Sequence, residues 1–362
     1  MATTYDRVTT PKRLLGSLGD AQLAIGGPRF DALLLWGCPL SAALFVWLFV
    51  AGATLLPAPI AQNAVAGLAL GVTILTFAHL IAVAPRAYLN PDVFAAHRKR
   101  LTIVPVLLVL ALVASPTLLV IGAVVAVFWD VHHSAMQTFG IARIYDMKAG
   151  NGPLELRRTD LRLNWVLYVG PIAAGASLAP HLAGFDAFAP LGWTSLAGLP
   201  SLAQNHVTGI TELAIAAWLV ILGWATWDYR AAMARGYRLP VHKLATIATA
   251  GFVSILAWGF TTPIAAFAII NLFHAVQYFA LVWLKEGERI GTATARLFGS
   301  HGMVSGRRSL IAFALFVLLC FGFGIAYHYG QGARWVGGIF IACSLLHFWY
   351  DSFVWSVRKK QV

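Results

Sequence analysis

Apolar runs of about twenty residues, each long enough to cross roughly 30 Å of hydrocarbon at 1.5 Å per residue, recur along almost the whole chain. They fall approximately at 32–56, 62–84, 101–115, 116–139, 163–183, 206–227, 242–261, 263–284, 309–328 and 335–356. Hydrocarbon offers no partner to a bare peptide group, so helices are the economical way to bury such runs. The pattern predicts an all-α polytopic membrane bundle of about ten transmembrane helices. Only 11% of the 362 residues are charged, against roughly a quarter in a soluble domain, and the mean hydropathy is +0.75. The polar stretches are too short to build a core of their own. One transmembrane domain, 31–357, is therefore expected between a cytoplasmic arm, 1–30, and a short cytoplasmic tail, 358–362.

Charge orders these helices. With the N-terminus inside, 25 of the 26 lysines and arginines fall on inside segments and only Arg334 falls outside, the asymmetry of cytoplasmic loops. Both termini are expected in the cytoplasm of a bacterial-type inner (plasma) membrane. The net charge of +12 then reports topology and attraction to anionic membrane lipid, and a nucleic-acid partner is not indicated. The opening stretch contains acids and lacks a compact apolar segment before a small-residue cleavage site, so it does not read as a signal peptide. The apolar, Pro/Gly-rich segment 181–205 reads as a long loop, with a surface-lying or lid role as the alternative. Cys38, Cys320 and Cys343 lie in apolar runs without metal-ligand spacing and read as core residues.

Four histidines share one depth. His79 lies seven residues before Arg86, His133 ten before Arg143, His274 eleven before Lys285 and His347 eleven before Arg358, which places them about 10–17 Å inside the cytoplasmic interface. Their neighbours are polar at helical spacing: Asp130, His133 and Gln137; Asn271, His274 and Gln277; His347 and Asp351. A lone membrane histidine is more often a packing or hydrogen-bonding residue, but four at a common depth with carboxylate and amide companions point to a shared site. The expected metal ligands are His79, His133, His274 and His347, with His132 next. Asp130 and Asp351 are expected to ligate or orient, and Gln137 and Gln277 to position water or substrate. His97, His242 and His301 fall in inside loops and His181, His206 and His328 near the other side, where solvation is the default. Arg86, Tyr88, Asn90, Arg143 and Tyr145 read as interfacial anchors, or else as a cytoplasmic mouth for a polar head group or redox partner.

Imidazole with carboxylate and no thiolate suits iron, zinc, copper or manganese. The HExxH peptidase motif is absent, and apolar surroundings suit a lipid-soluble substrate and dioxygen, so non-haem iron that activates oxygen toward a C–H or C=C bond is the leading expectation. The DVHH stretch and the three other histidine segments resemble the histidine-rich layer of membrane non-haem iron oxygenases, nearest in style to the Brp/Blh carotenoid-cleaving dioxygenases. The larger HxxxH and HxxHH set of membrane fatty-acid desaturases is not present. That resemblance, in architecture and ligand type over four short segments, implies iron held by intramembrane histidines and an isoprenoid-like substrate. Two other readings stand beside it: haem b clamped between two histidines, and a proton-coupled transporter with a His/Asp relay, for which Glu212 is the clear acidic candidate toward the outer half.

Overall fold

A computed structural model describes residues 14–175, 177–298, 309–330 and 332–355. His301 and the 358–362 tail lie outside the described residues. The described residues are almost entirely helical, and each of the ten apolar runs overlaps a long helix: α1 (Cys38–Thr54), α2 (Ala58–Ile81), α3 (Pro91–Ala114), α4 (Pro116–Lys148), α5 (Arg157–Ala174), α6 (Val207–Ala234), α7 (Val241–Phe260), α8 (Pro263–Phe298), α9 (Leu310–Gly330) and α10 (Arg334–Val354). Proline opens α3, α4 and α8, where its missing N–H removes no helical bond. Ser115, extended before Pro116, separates α3 from α4, and its Oγ accepts from Leu118 N at 3.2 Å. Asn90 caps α3 in the same way through Val93 N.

Among the described residues, eight helices are long and apolar enough to cross a membrane, or nine if a bent pair counts as one span. The shortfall from ten has two local causes. In α3, Asp92, Arg98, Lys99 and Arg100 occupy the first ten residues, which leaves a short apolar remainder. The fifth run was expected to continue to 183, but α5 ends at Ala174 and the segment Leu178–Leu191 leaves at 100°. Gly175 sits so close to α7 that a Cβ there would fall 2.6 Å from Gly259 Cα and 2.8 Å from Trp258 O. Ser177 Oγ then donates to Trp258 O at 2.9 Å.

The buried core centres on α8, whose Ala265–Phe273 stretch packs with residues of α1, α4, α5 and α7. A second cluster joins the ends of α2, α8, α9 and α10. Small residues permit the closest approaches: a Cβ on Gly324 of α9 would lie 2.2 Å from Ile74 O of α2. Outward positions remain apolar, including Leu213, Leu219, Val220 and Trp227 on α6, as a lipid-facing surface requires.

Two ion-pair networks tie the helix ends together. Arg143 of α4 bonds Asp146 and, at 2.7 Å, Asp160 of α5, while Lys243 of α7 reaches the same carboxylates at 2.7 and 2.8 Å. Tyr237 and Tyr229 donate to the remaining oxygens. Elsewhere Arg86 pairs with Glu286 of α8 at 2.5 Å and donates to Val354 O. The sequence reading of Arg86, Asn90, Arg143 and Tyr145 as interfacial anchors or an open mouth is thus corrected: all four are buried, because acids and carbonyls distant in the chain receive them. Tyr145 donates to Asp31 at 2.8 Å; Tyr88 alone of the set is exposed. The solvated default also fails for His97, His181 and His242, which are buried against Phe353, Trp258 and Tyr145 respectively.

Candidate metal centre

Four helices each place one histidine at a common point. His79 comes from the last turn of α2, His133 from the middle of α4, His274 from α8 and His347 from α10. All four are buried, and one nitrogen from each lies within 4.8 Å of the others'. The rings close a cycle of edge-on contacts: His79 to His274 at 5.0 Å between centroids, His274 to His133 at 4.9 Å, His133 to His347 at 4.8 Å and His347 to His79 at 5.1 Å. Each interplanar angle lies between 72° and 87°, so the nitrogen-bearing edges converge.

The protonation pattern can be read at one ring. His347 Nδ1 lies 2.9 Å from Leu80 O; a carbonyl only accepts, so Nδ1 carries the hydrogen and, in the neutral ring, Nε2 keeps its lone pair. That Nε2 faces His133 Nε2 at 3.1 Å. Two nitrogens bound to one ion at about 2.0–2.1 Å lie roughly 3.0–3.4 Å apart when adjacent and about 4.2 Å apart when opposite. The His133–His347 spacing is that of adjacent ligands, while the full set, within 4.8 Å, is somewhat wider than a single bound ion would hold it. Neither ring nitrogen of His79 or His274 has a hydrogen-bond partner among the described residues. An unsatisfied buried polar group costs roughly 1–3 kcal/mol, and two rings in that state, each with one nitrogen in the converging group, call for an explanation.

The flanking polar residues divide. Asp351, one turn beyond His347, sets Oδ2 at 3.7 Å from both His133 Nε2 and His347 Nε2. Its Oδ1 accepts from Tyr278 Oη at 2.7 Å and Trp355 Nε1 at 3.1 Å. Tyr278 sits one turn after His274, with its ring 4.8 Å from His347. Its i+4 spacing from His274 was visible in the sequence, but a tyrosine in an apolar run does not announce a carboxylate partner on another helix. Trp355 in turn stacks under Arg86, 4.8 Å from the guanidinium carbon, so contacts run from the imidazoles through Asp351 to the Arg86–Glu286 pair.

Other predicted members are not gathered here. His132 faces away from the four-imidazole group: it points about 100° around α4 from His133, and its Nδ1 accepts from Trp165 Nε1 at 2.7 Å. Asp130 is partly buried and makes no hydrogen bond or ion pair with a described residue. Gln137 Nε2 donates to His274 O at 3.1 Å and to Gln277 Oε1 at 2.8 Å, and Gln277 Nε2 donates to Leu35 O at 2.7 Å. Those amides lock α4 to α8 and to the chain before α1, and so hold His133 and His274 in register. Asn271 does the same for α2, accepting from Thr76 Oγ1 at 3.1 Å. Comparison of the chain with protein-family models, with curated proteins and with solved structures finds no match.

Proposed function

We propose that His79, His133, His274 and His347 hold a single non-haem transition-metal ion, iron first, and that the protein is an iron-dependent membrane oxidoreductase of the oxygenase type acting on an apolar lipid or isoprenoid-like substrate. The observation that carries the proposal is the convergence of four buried imidazoles from four helices on one point, two of them with no other partner. A nitrogen-rich set without thiolate favours iron, copper, nickel or zinc, and the apolar surroundings favour dioxygen chemistry on a lipid-soluble molecule over hydrolysis. When bound, the ion supplies dioxygen activation. The protein's own groups exclude bulk water, orient the imidazoles, and place Asp351 Oδ2 beside two of them, where it can ligate or hold a proton. Haem is less well supported, since a macrocycle between two axial imidazoles would need the space that the other two rings occupy.

The same reading completes the topology: ten crossings, with the weakly apolar α3 and bent α5 included, both termini cytoplasmic, and the histidines in the cytoplasmic half. The distribution of basic residues supports it.

Metal analysis together with an absorption spectrum of the purified protein tests the proposal. Stoichiometric iron without a Soret band is the expected result. A Soret band replaces it with haem ligation, and absence of metal after reconstitution with ferrous iron overturns it.

A further inference from the structure

A face of α4 about 100° around the helix from His133 carries a second arrangement. Ile121, Val124, Val125, Phe128, Trp129 and His132 recur at helical spacing and, with Phe185 and Phe188, line an open groove of about 550 Å³. Phe185 and Phe188 come from the 3₁₀ segment Ala183–Leu191, which lies so that Phe185 packs on Phe128 at 5.7 Å and Phe188 stacks on Trp193 at 5.4 Å. This volume is ordinary for a small-molecule site, and a few placed polar groups among apolar ones are what orient a ligand there.

His132 is a polar member of that lining, and its tautomer is set. Trp165 Nε1 can only donate, so His132 Nδ1 is the acceptor and the ring hydrogen of the neutral imidazole resides on Nε2. His132 Nε2–H therefore stands as a hydrogen-bond donor, beside the indole N–H of Trp129, at the end of an apolar trough about 16 Å long, eleven residues of α4 at 1.5 Å each. His132 also lies about 16 Å along α4 from Arg143, the first basic residue after it, well below the level of phospholipid ester groups. An oxygen that meets it there belongs to the end of an apolar chain and not to a glycerolipid backbone. Two aromatic rings separate the trough from the imidazoles: Trp129 packs on Phe348 at 6.2 Å, and Phe348 on His133 at 4.8 Å.

We infer that this trough binds a long apolar chain by a terminal hydroxyl or carbonyl oxygen, which accepts from His132 Nε2, and that Trp129 and Phe348 form the partition between the bound chain and the metal centre. The inference rests on the proposed function only in naming the imidazoles a metal centre, and it does not require the bound chain to be the substrate.

Tritiated geranylgeraniol, titrated into the protein in lipid nanodiscs with empty nanodiscs subtracted, tests it. Saturable binding of one molecule per chain is expected. His132→Leu weakens it about fivefold to tenfold, the loss of one net hydrogen bond, while His132→Gln, which keeps a donor, restores it. Val125→Trp, which fills the trough from a partly exposed position, abolishes saturable binding with metal content unchanged. Phytane, the saturated chain without the oxygen, competes at least fivefold less well. Binding that only tracks lipid partitioning, a His132→Leu variant equal to wild type, or phytane competing equally overturns the inference, the last by showing that any bilayer chain suffices. Saturable, His132-dependent binding in a protein that takes up no metal leaves the trough standing and removes the metal reading; stoichiometric iron with non-saturable binding does the reverse.

Discussion

Replacing Lys243 with Met should be among the most damaging single changes in this protein, although it lies outside the metal centre. Lys243 Nζ donates to Asp146 at 2.7 Å, Asp160 at 2.8 Å and Tyr237 Oη at 2.9 Å, and neither the lysine nor either carboxylate is exposed. Two carboxylates are balanced by two cations, Arg143 and Lys243. Methionine of similar length leaves a net negative charge with no access to water, a change that costs roughly 3–5 kcal/mol when one partner of a buried pair is removed. An exposed pair would cost about 0–1 kcal/mol. Unfolding in mixed micelles with increasing dodecyl sulfate, followed by tryptophan fluorescence, measures the loss. Adding Asp146→Asn to Lys243→Met restores neutrality and should recover at least half of it, a coupling expected of residues in one network. A single variant within about 1 kcal/mol of wild type, or a double variant less stable than the single, refutes the charge-balance argument.

His274→Ala should lower metal occupancy without preventing membrane insertion, whereas His206→Ala, at an exposed position, should leave metal content unchanged; inductively coupled plasma analysis of both reads the difference. Asp351→Asn should retain metal, because the four imidazoles are untouched, yet lower turnover by tenfold or more if the carboxylate holds a proton beside them, a typical scale for a positioned acid or base; unchanged turnover removes it from the chemistry. Gly324→Ala drives a Cβ to 2.2 Å from the Ile74 carbonyl, so α9 must separate from α2, and the loss of about 1–3 kcal/mol or more typical of overpacking should appear in the same micellar unfolding assay.

The candidate site was legible because depth in a membrane helix can be counted. Four histidines lay seven to eleven residues from basic residues on helices that the expected topology runs in the same direction, and a bundle of such helices brings equal depths together. What counting does not give is azimuth. His132 and His133 share a depth, but only His133 faces the other three rings, and the stripe from Ile121 to His132 shows why in hindsight: its spacing marks a separate face of α4. Partners distant in the chain were equally hidden. Arg86 meets Glu286 and Arg143 meets Asp160, so residues that look like interfacial anchors are buried counter-ions. Gln137 and Gln277 look like site residues but bond each other. The break after Ala174 also had no local signal strong enough to end a helix, since Gly175 is required by its contact with α7.

X-ray absorption at the iron edge of the purified, iron-loaded protein addresses the central claim most directly. The account predicts a first shell of nitrogen at about 2.0–2.2 Å with the outer-shell scattering of four imidazoles, reduced to three in His274→Ala. A sulfur shell, a porphyrin-type nitrogen shell, or an imidazole count unchanged by that substitution would contradict it.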